Sequence, residues 1–255
     1  MKLKPNDNPC HAEDHNEPGI STELKFVRDK RVVAQDVQLI RADGGGSKRT
    51  FNGRRTHENG WYVSRKARRL LHWEGKAQFD FLTRAEVEFS VVSMTSEAVE
   101  FQFVRDGKKH SYTIDVELVA PDGRLTFIEI KRDENDLKDP EYRAKLGHVR
   151  EICEEMGIRF RIIFRHQIWE SLIHRRNVNL FSARRFVSVR PEHIERLEKH
   201  ALTVGADATF GSLSDALDPS RRLMGEAVLQ ALTVARRVQI DLTRPILDTT
   251  PITIH

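Results

Sequence analysis

Residues Val99 to Lys131, VEFQFVRDGKKHSYTIDVELVAPDGRLTFIEIK, constrain the fold more than any other stretch. Two Asp-Gly pairs, Asp106-Gly107 and Asp122-Gly123, divide it into three runs rich in Val, Ile, Phe, Tyr and Thr. Asp-Gly between such runs marks tight hairpin turns, so the spacing predicts three consecutive antiparallel strands.

Alternation along a strand puts residues i and i+2 on one face. Glu129 and Lys131 then point one way and Ile128 and Ile130 the other. In the middle run Ile114, Val116 and Leu118 share a face opposite to Asp115. Joining the two apolar faces in one core fixes the register. A two-residue loop sets Asp115 against Ile130, on the wrong side. The three-residue loop Pro121-Asp122-Gly123 sets it against Glu129, and Pro121 has no N–H for a ladder, which favours this loop.

Two carboxylates and a lysine would thus meet on one sheet face. Close carboxylates repel unless a cation neutralises them. A hard divalent cation takes one or two carboxylates together with water and substrate phosphate, and the Ile130 carbonyl is a further oxygen on the same strand. A lysine beside them holds a phosphate or helps to deprotonate a water. The set suits metal-assisted phosphodiester hydrolysis. Taken alone it equally describes a salt bridge on a solvated face.

The order of pieces extends the pattern. HWEGKAQFDFL carries Glu74 with Phe79, Phe81 and Leu82, and is expected on a helix that Ser64 caps and that runs through RKARRLLHWEGKAQFDFL. Asp80 is the competing carboxylate there. Val99–Phe103, Tyr112 to Asp115 and Glu129 to Lys131 follow. This arrangement resembles the restriction-endonuclease-like nucleases, and more closely the TnsA family, the endonuclease subunit of heteromeric transposases. Ser96-Glu97 stands where that family often has Gln-Pro, and Ile114 where it often has Pro before the Asp.

The resemblance implies a metal-dependent DNA endonuclease that cuts phosphodiester bonds during transposition. Glu74, Asp115 and Glu129, with the Ile130 carbonyl, would hold Mg²⁺, for which Mn²⁺ can substitute. Lys131 would position or activate the water. Partners would be DNA, a transposase subunit and an ATPase regulator. Two other readings stay open: a free-standing restriction or repair nuclease, and a catalytically silent DNA-binding adaptor on the same fold.

Around this centre, Asp139, Pro140 and Gly157 delimit a helix, and RFRIIF (159–164) reads as a buried strand added in parallel. The expected fold is α/β: a restriction-endonuclease-like mixed sheet flanked by helices, plus a small C-terminal winged-helix-like domain. Residues 1–20 are polar and expected to be a disordered tail. Residues 21–170 form the nuclease domain with its basic N-terminal part, beginning with RVVAQDVQLI as a strand or short helix. HQIWESLIHRRNVNLFSARRF is a partly helical connector. Residues 188–255 hold three helices, from Pro191, at SDAL and after Pro219, and then two strand-like runs, VQIDL and PITIH.

Charge supports a polyanionic partner. The net charge is +4, but residues 21–76 hold fourteen Lys/Arg against six Asp/Glu, an excess of eight that leaves the remainder at −4. Lys48, Arg49, Arg54, Arg55, Arg65 and Lys66 are the candidate phosphate contacts. No run of eighteen apolar residues and no apolar leader is present, so a cytoplasmic protein without a membrane span is expected. Cys10 and Cys153 have neither disulfide nor metal-site spacing. A Gly-rich phosphate loop ending in Lys-Ser or Lys-Thr is missing, which excludes P-loop ATP hydrolysis.

Overall fold

The structure is a computed structural model that describes residues 35–42, 46–48, 58–105 and 107–255. The expected tail 1–20, Arg49, Arg54, Arg55, Asp106 and Cys10 lie outside these residues. In chain order the elements are β1 (Gln35–Arg41), β2 (Asn59–Ser64), β3 (Arg69–Glu74), α1 (Lys76–Val87), β4 (Ser93–Ser96), β5 (Val99–Arg105), β6 (Lys108–Thr113), β7 (Val116–Val119), β8 (Leu125–Lys131), α2 (Pro140–Glu155), β9 (Arg159–Phe164), α3 (Leu172–Ala183), α4 (Pro191–Val204), α5 (Phe210–Leu217), α6 (Arg222–Val234), β10 (Val238–Ile240) and β11 (Ile252–Ile254). They make a mixed α/β fold. The four-stranded sheet runs β4-β7-β8-β9, and a three-stranded sheet runs β1-β5-β6. No helix among the described residues is long and apolar enough to cross a membrane.

The strand pattern holds with one change of plan. Val116 pairs with Ile128 and Val119 with Leu125, and Ala120 closes on Arg124 around the three-residue loop 121–123. Asp115 lies just beyond the last paired residue, and its carboxylate meets the backbone N–H of Ile130, next to Glu129. The middle run, however, is two strands. β6 belongs to the three-stranded sheet and β7 to the four-stranded one, with the break at Ile114-Asp115. Ile114 therefore does not share a face with Val116. It packs with Phe101, Phe127 and Leu146 under α2, whereas Val116 packs with Ile128, Met94 and Leu82 under α1.

α2 ends as its sequence dictates. The Asp139 carboxylate accepts from the Glu141 N–H at 2.9 Å, Pro140 takes the first helical position, and Gly157 follows the end with φ 69°. β9 then runs parallel to β8, with Glu129 opposite Ile162. Leu146, Val149, Ile152 and Cys153 are the buried stripe of α2. Burial pushes the Cys153 thiol up to about 12.

The expected helix from Ser64 is instead a β2–β3 hairpin followed by α1. Ser64 does accept from the Ala67 N–H at 2.9 Å, as a cap would, but what it closes is the single turn 65–68. Glu86, fully buried on α1, accepts from the Ser64 hydroxyl at 2.6 Å and from the Arg65 N–H at 2.7 Å. Gly75, with φ 79°, then ends β3 and starts α1. Leu71, Trp73, Ala77, Phe79, Phe81 and Leu82 belong to two elements packed into one core, while Leu70 faces solvent.

Beyond β9, the helical part of the expected connector is α3. Its Val178 and Phe181 share a core with Val87 of α1 and with Leu213, Leu229 and Val238. Thr209 caps α5, accepting from the Ser212 N–H at 3.2 Å. α4, α5 and α6 are followed by the antiparallel pair β10–β11, with Gln239 opposite Thr253. A Cβ at Gly225 would stand 2.0 Å from the Ser214 carbonyl oxygen, so α5 and α6 approach as only glycine permits.

Candidate active site

The site forms where both sheets change hands. Glu129 and Lys131 lie on the α2 face of β8, and Asp115 lies at the β6–β7 break. The Asp115 carboxylate accepts from the Ile130 N–H at 2.8 Å. N–H and C=O of one strand residue point to the same edge, so the Ile130 carbonyl lies on the Asp115 side of β8. Glu129 is buried, and three donors meet its carboxylate. The Tyr142 hydroxyl donates to Oε1 at 2.7 Å, the Tyr112 hydroxyl donates to Oε2, and the Lys131 ammonium pairs with Oε1. Lys131 also stands over the Tyr142 ring, 4.9 Å from its centroid.

The electrostatics follow from that packing. Burial works against the Lys131 charge, but Glu129 and Asp115 beside it outweigh burial and raise its pKa above the ordinary lysine value. At neutral pH Lys131 is an ammonium, a donor and a positive charge. Burial, with Glu129 next in order, also drives both phenols upward: Tyr112 well above its usual value, Tyr142 above it too. Both remain protonated donors to Glu129.

Of the sequence candidates, Asp115, Glu129, Ile130 and Lys131 come together. Glu74 does not sit on a helix. It ends β3, just before Gly75, and the residue that α1 brings to Asp115 is Gln78. Gln78 is buried. Its amide donates to the Asp115 carbonyl oxygen at 3.3 Å, and its own oxygen accepts from the Glu74 N–H at 2.7 Å. The place expected for a helical carboxylate is thus held by an amide. Asp80 pairs with Lys76 one helical turn away. Gln78, Tyr112 and Tyr142 were missed as site residues. Tyr112 stands three residues before Asp115 and Tyr142 opens α2, but only the folded topology brings them to Glu129.

The donor set fits a hard divalent cation in kind: two carboxylates and a strand carbonyl, the remainder to come from water and phosphate. Among the described residues no three His, Cys, Asp or Glu side chains converge on one point. A cation at this site would have Asp115 and Glu129 as its acidic side chains.

The basic candidates separate. Lys48 donates its backbone N–H to the Glu97 carbonyl at 2.7 Å. Arg65 spends one guanidinium N–H on the Arg185 carbonyl at 2.7 Å. Lys66 is committed to the fold: its ammonium caps the end of α1 on the carbonyls of Ala85, at 3.0 Å, and Glu88. Burial lowers its pKa to about 7. The exposed cations of the hairpin tip are Arg68 and Arg69.

No curated protein matches the chain. A family model described as TnsA-like endonuclease N terminal matches residues 88–164, the segment that runs through β4 to β9 and holds Asp115, Glu129 and Lys131.

Proposed function

We propose that the chain is a metal-dependent DNA endonuclease that hydrolyses phosphodiester bonds at transposon ends, with DNA, a transposase subunit and an ATPase regulator as partners. The observation that carries this is the meeting of Asp115, Glu129 and Lys131 at the break between the two sheets. Mg²⁺, or Mn²⁺ in its place, would be held by Asp115, Glu129 and the Ile130 carbonyl, and supplies an activated water and charge neutralisation at phosphorus. Lys131, kept positive by the two acids, offers N–H donors to a phosphate oxygen. Tyr112 and Tyr142 fix the Glu129 carboxylate. Lys48, Arg65, Arg68 and Arg69 would meet the DNA backbone. Residues 188–255, three helices and a strand pair, form a winged-helix-like unit for partner docking and DNA contact.

Gln78 favours a second reading, a silent adaptor, because it puts an amide where the resemblance has an acid. Calorimetric titration with Mn²⁺, with and without DNA, on the wild type and Asp115→Ala separates the two. Binding by the wild type that is lost in the variant is expected, together with nicking of plasmid DNA in the presence of the partner subunits. Wild-type protein that takes up no Mn²⁺ even on DNA would sink the nuclease reading and leave the adaptor.

A further inference from the structure

β4 and β5 are one continuous run against β6 and β7, but the register slips between them. Ser96 pairs with Val116, and four residues later Glu100 pairs with Thr113. Three residues, Glu97 to Val99, therefore face two, Ile114 and Asp115, which is a β-bulge. It is tied on both sides: the Glu97 N–H donates to the Asp115 carbonyl at 3.0 Å, and the Ile114 N–H to the Val99 carbonyl at 2.9 Å. The bulge is what sends β6 and β7 into different sheets and turns Asp115 toward Ile130.

The bulged residue is not glycine. Glu97 has φ 51°, in the left-handed region that costs a non-glycine residue roughly 1–2 kcal/mol. Its surroundings hold it there. The carboxylate is 1% exposed and lies 2.6 Å from Nδ1 of His72, whose side chain is fully buried. The Ser47 hydroxyl donates to the same oxygen at 3.1 Å. His72 comes from β3, the strand that leads into Gly75 and Gln78. A strained backbone over-determined by a buried pair, next to a reacting group, marks a built device.

We propose that Glu97 and His72 are positioning residues: their buried pair locks the bulge that aims the Asp115 carboxylate. This rests on Asp115 being catalytic, as proposed above, but its test does not. The Ile130 N–H reports directly on the Asp115 carboxylate that accepts from it. Amide hydrogen exchange is followed by NMR on the metal-free, DNA-free full chain for the wild type, Glu97→Gly, His72→Ala and Glu97→Gln. Glycine accepts the left-handed conformation, so Glu97→Gly removes the anchor without adding strain. In Glu97→Gly and His72→Ala, exchange at Ile130 should rise at least tenfold while the β8–β9 ladder keeps its protection. Glu97→Gln, which retains an oxygen for His72, should restore Ile130 to within about threefold of wild type. Unchanged protection at Ile130 in Glu97→Gly overturns the proposal. So does a uniform rise along β8 and β9, since the pair would then only hold the sheet together. Failure of the wild type to take up Mn²⁺ bears on the nuclease reading and leaves this result untouched.

Discussion

Ile130 donates its backbone N–H to the Asp115 carboxylate across 2.8 Å, joining two candidate metal-holding residues before any metal arrives. Asp115→Asn keeps an oxygen for that bond and removes the charge. Its thermal midpoint should stay within a few degrees of wild type, while cleavage falls by roughly 10²-fold or more. A parallel melting curve and single-turnover cleavage assay check both halves. Full activity in Asp115→Asn would remove the carboxylate from the chemistry.

Glu129 is a buried carboxylate served by Tyr112, Tyr142 and Lys131. Hydrogen bonds to a charged group contribute about 1.5–3 kcal/mol each. Tyr112→Phe should lower unfolding free energy by an amount in that range at neutral pH. The more exposed Tyr142→Phe should lower it by less. Urea unfolding of the two variants gives the ranking.

Gln78 sits where a third acid would complete the cluster. Gln78→Glu adds a carboxylate beside Asp115. It should tighten Mn²⁺ binding by about tenfold and, without metal, destabilise the fold through like-charge repulsion. Calorimetry and metal-free melting check the pair of effects together. Unchanged Mn²⁺ affinity would place Gln78 outside the metal's reach.

Lys66 caps α1, so Lys66→Met should reduce stability by about 1–3 kcal/mol and leave the salt dependence of DNA binding unaltered. The pH dependence has a definite sign. Its folded pKa, about 7, is below the ordinary value of 10.5, so between these the unfolded chain binds the additional proton. This residue's contribution therefore improves as pH rises from about 7 toward 10 and is least favourable below 7. The stability gap between wild type and Lys66→Met should widen over that window. A gap that narrows would contradict a buried, deprotonating Lys66.

Gly225 lets α6 touch the backbone of α5 at Ser214. Gly225→Ala has to push the helices apart, costing about 1–3 kcal/mol or more. Thermal unfolding should show the loss in the C-terminal core.

Much of the site was legible because it lies in short-range chemistry. Pro121 and the Asp122-Gly123 turn set the loop length, which paired Val116 with Ile128 and brought Asp115 to Ile130. Asp139, Pro140 and Gly157 set α2. The misreadings have physical causes. Ser64 does cap a turn, and Leu70 to Leu82 have near-helical spacing, but Gly75 and the tertiary bond to Glu86 split the stretch into a hairpin and a helix. The bulge at Glu97 left no local trace, because a glutamate takes a left-handed conformation only when distant partners, here Ser47 and His72, hold it there.

Helix α1 has one end at each part of the molecule. Gln78 in its first turn bonds to Asp115, and Val87 at its last residue is buried among the C-terminal helices. The two are separated by about 14 Å of α-helix. A rod of that length transmits axial displacement. Anything that shifts α3 or α6 against Val87 must either bend α1 or be felt at the backbone of Asp115, so the C-terminal helices and the candidate site share one lever.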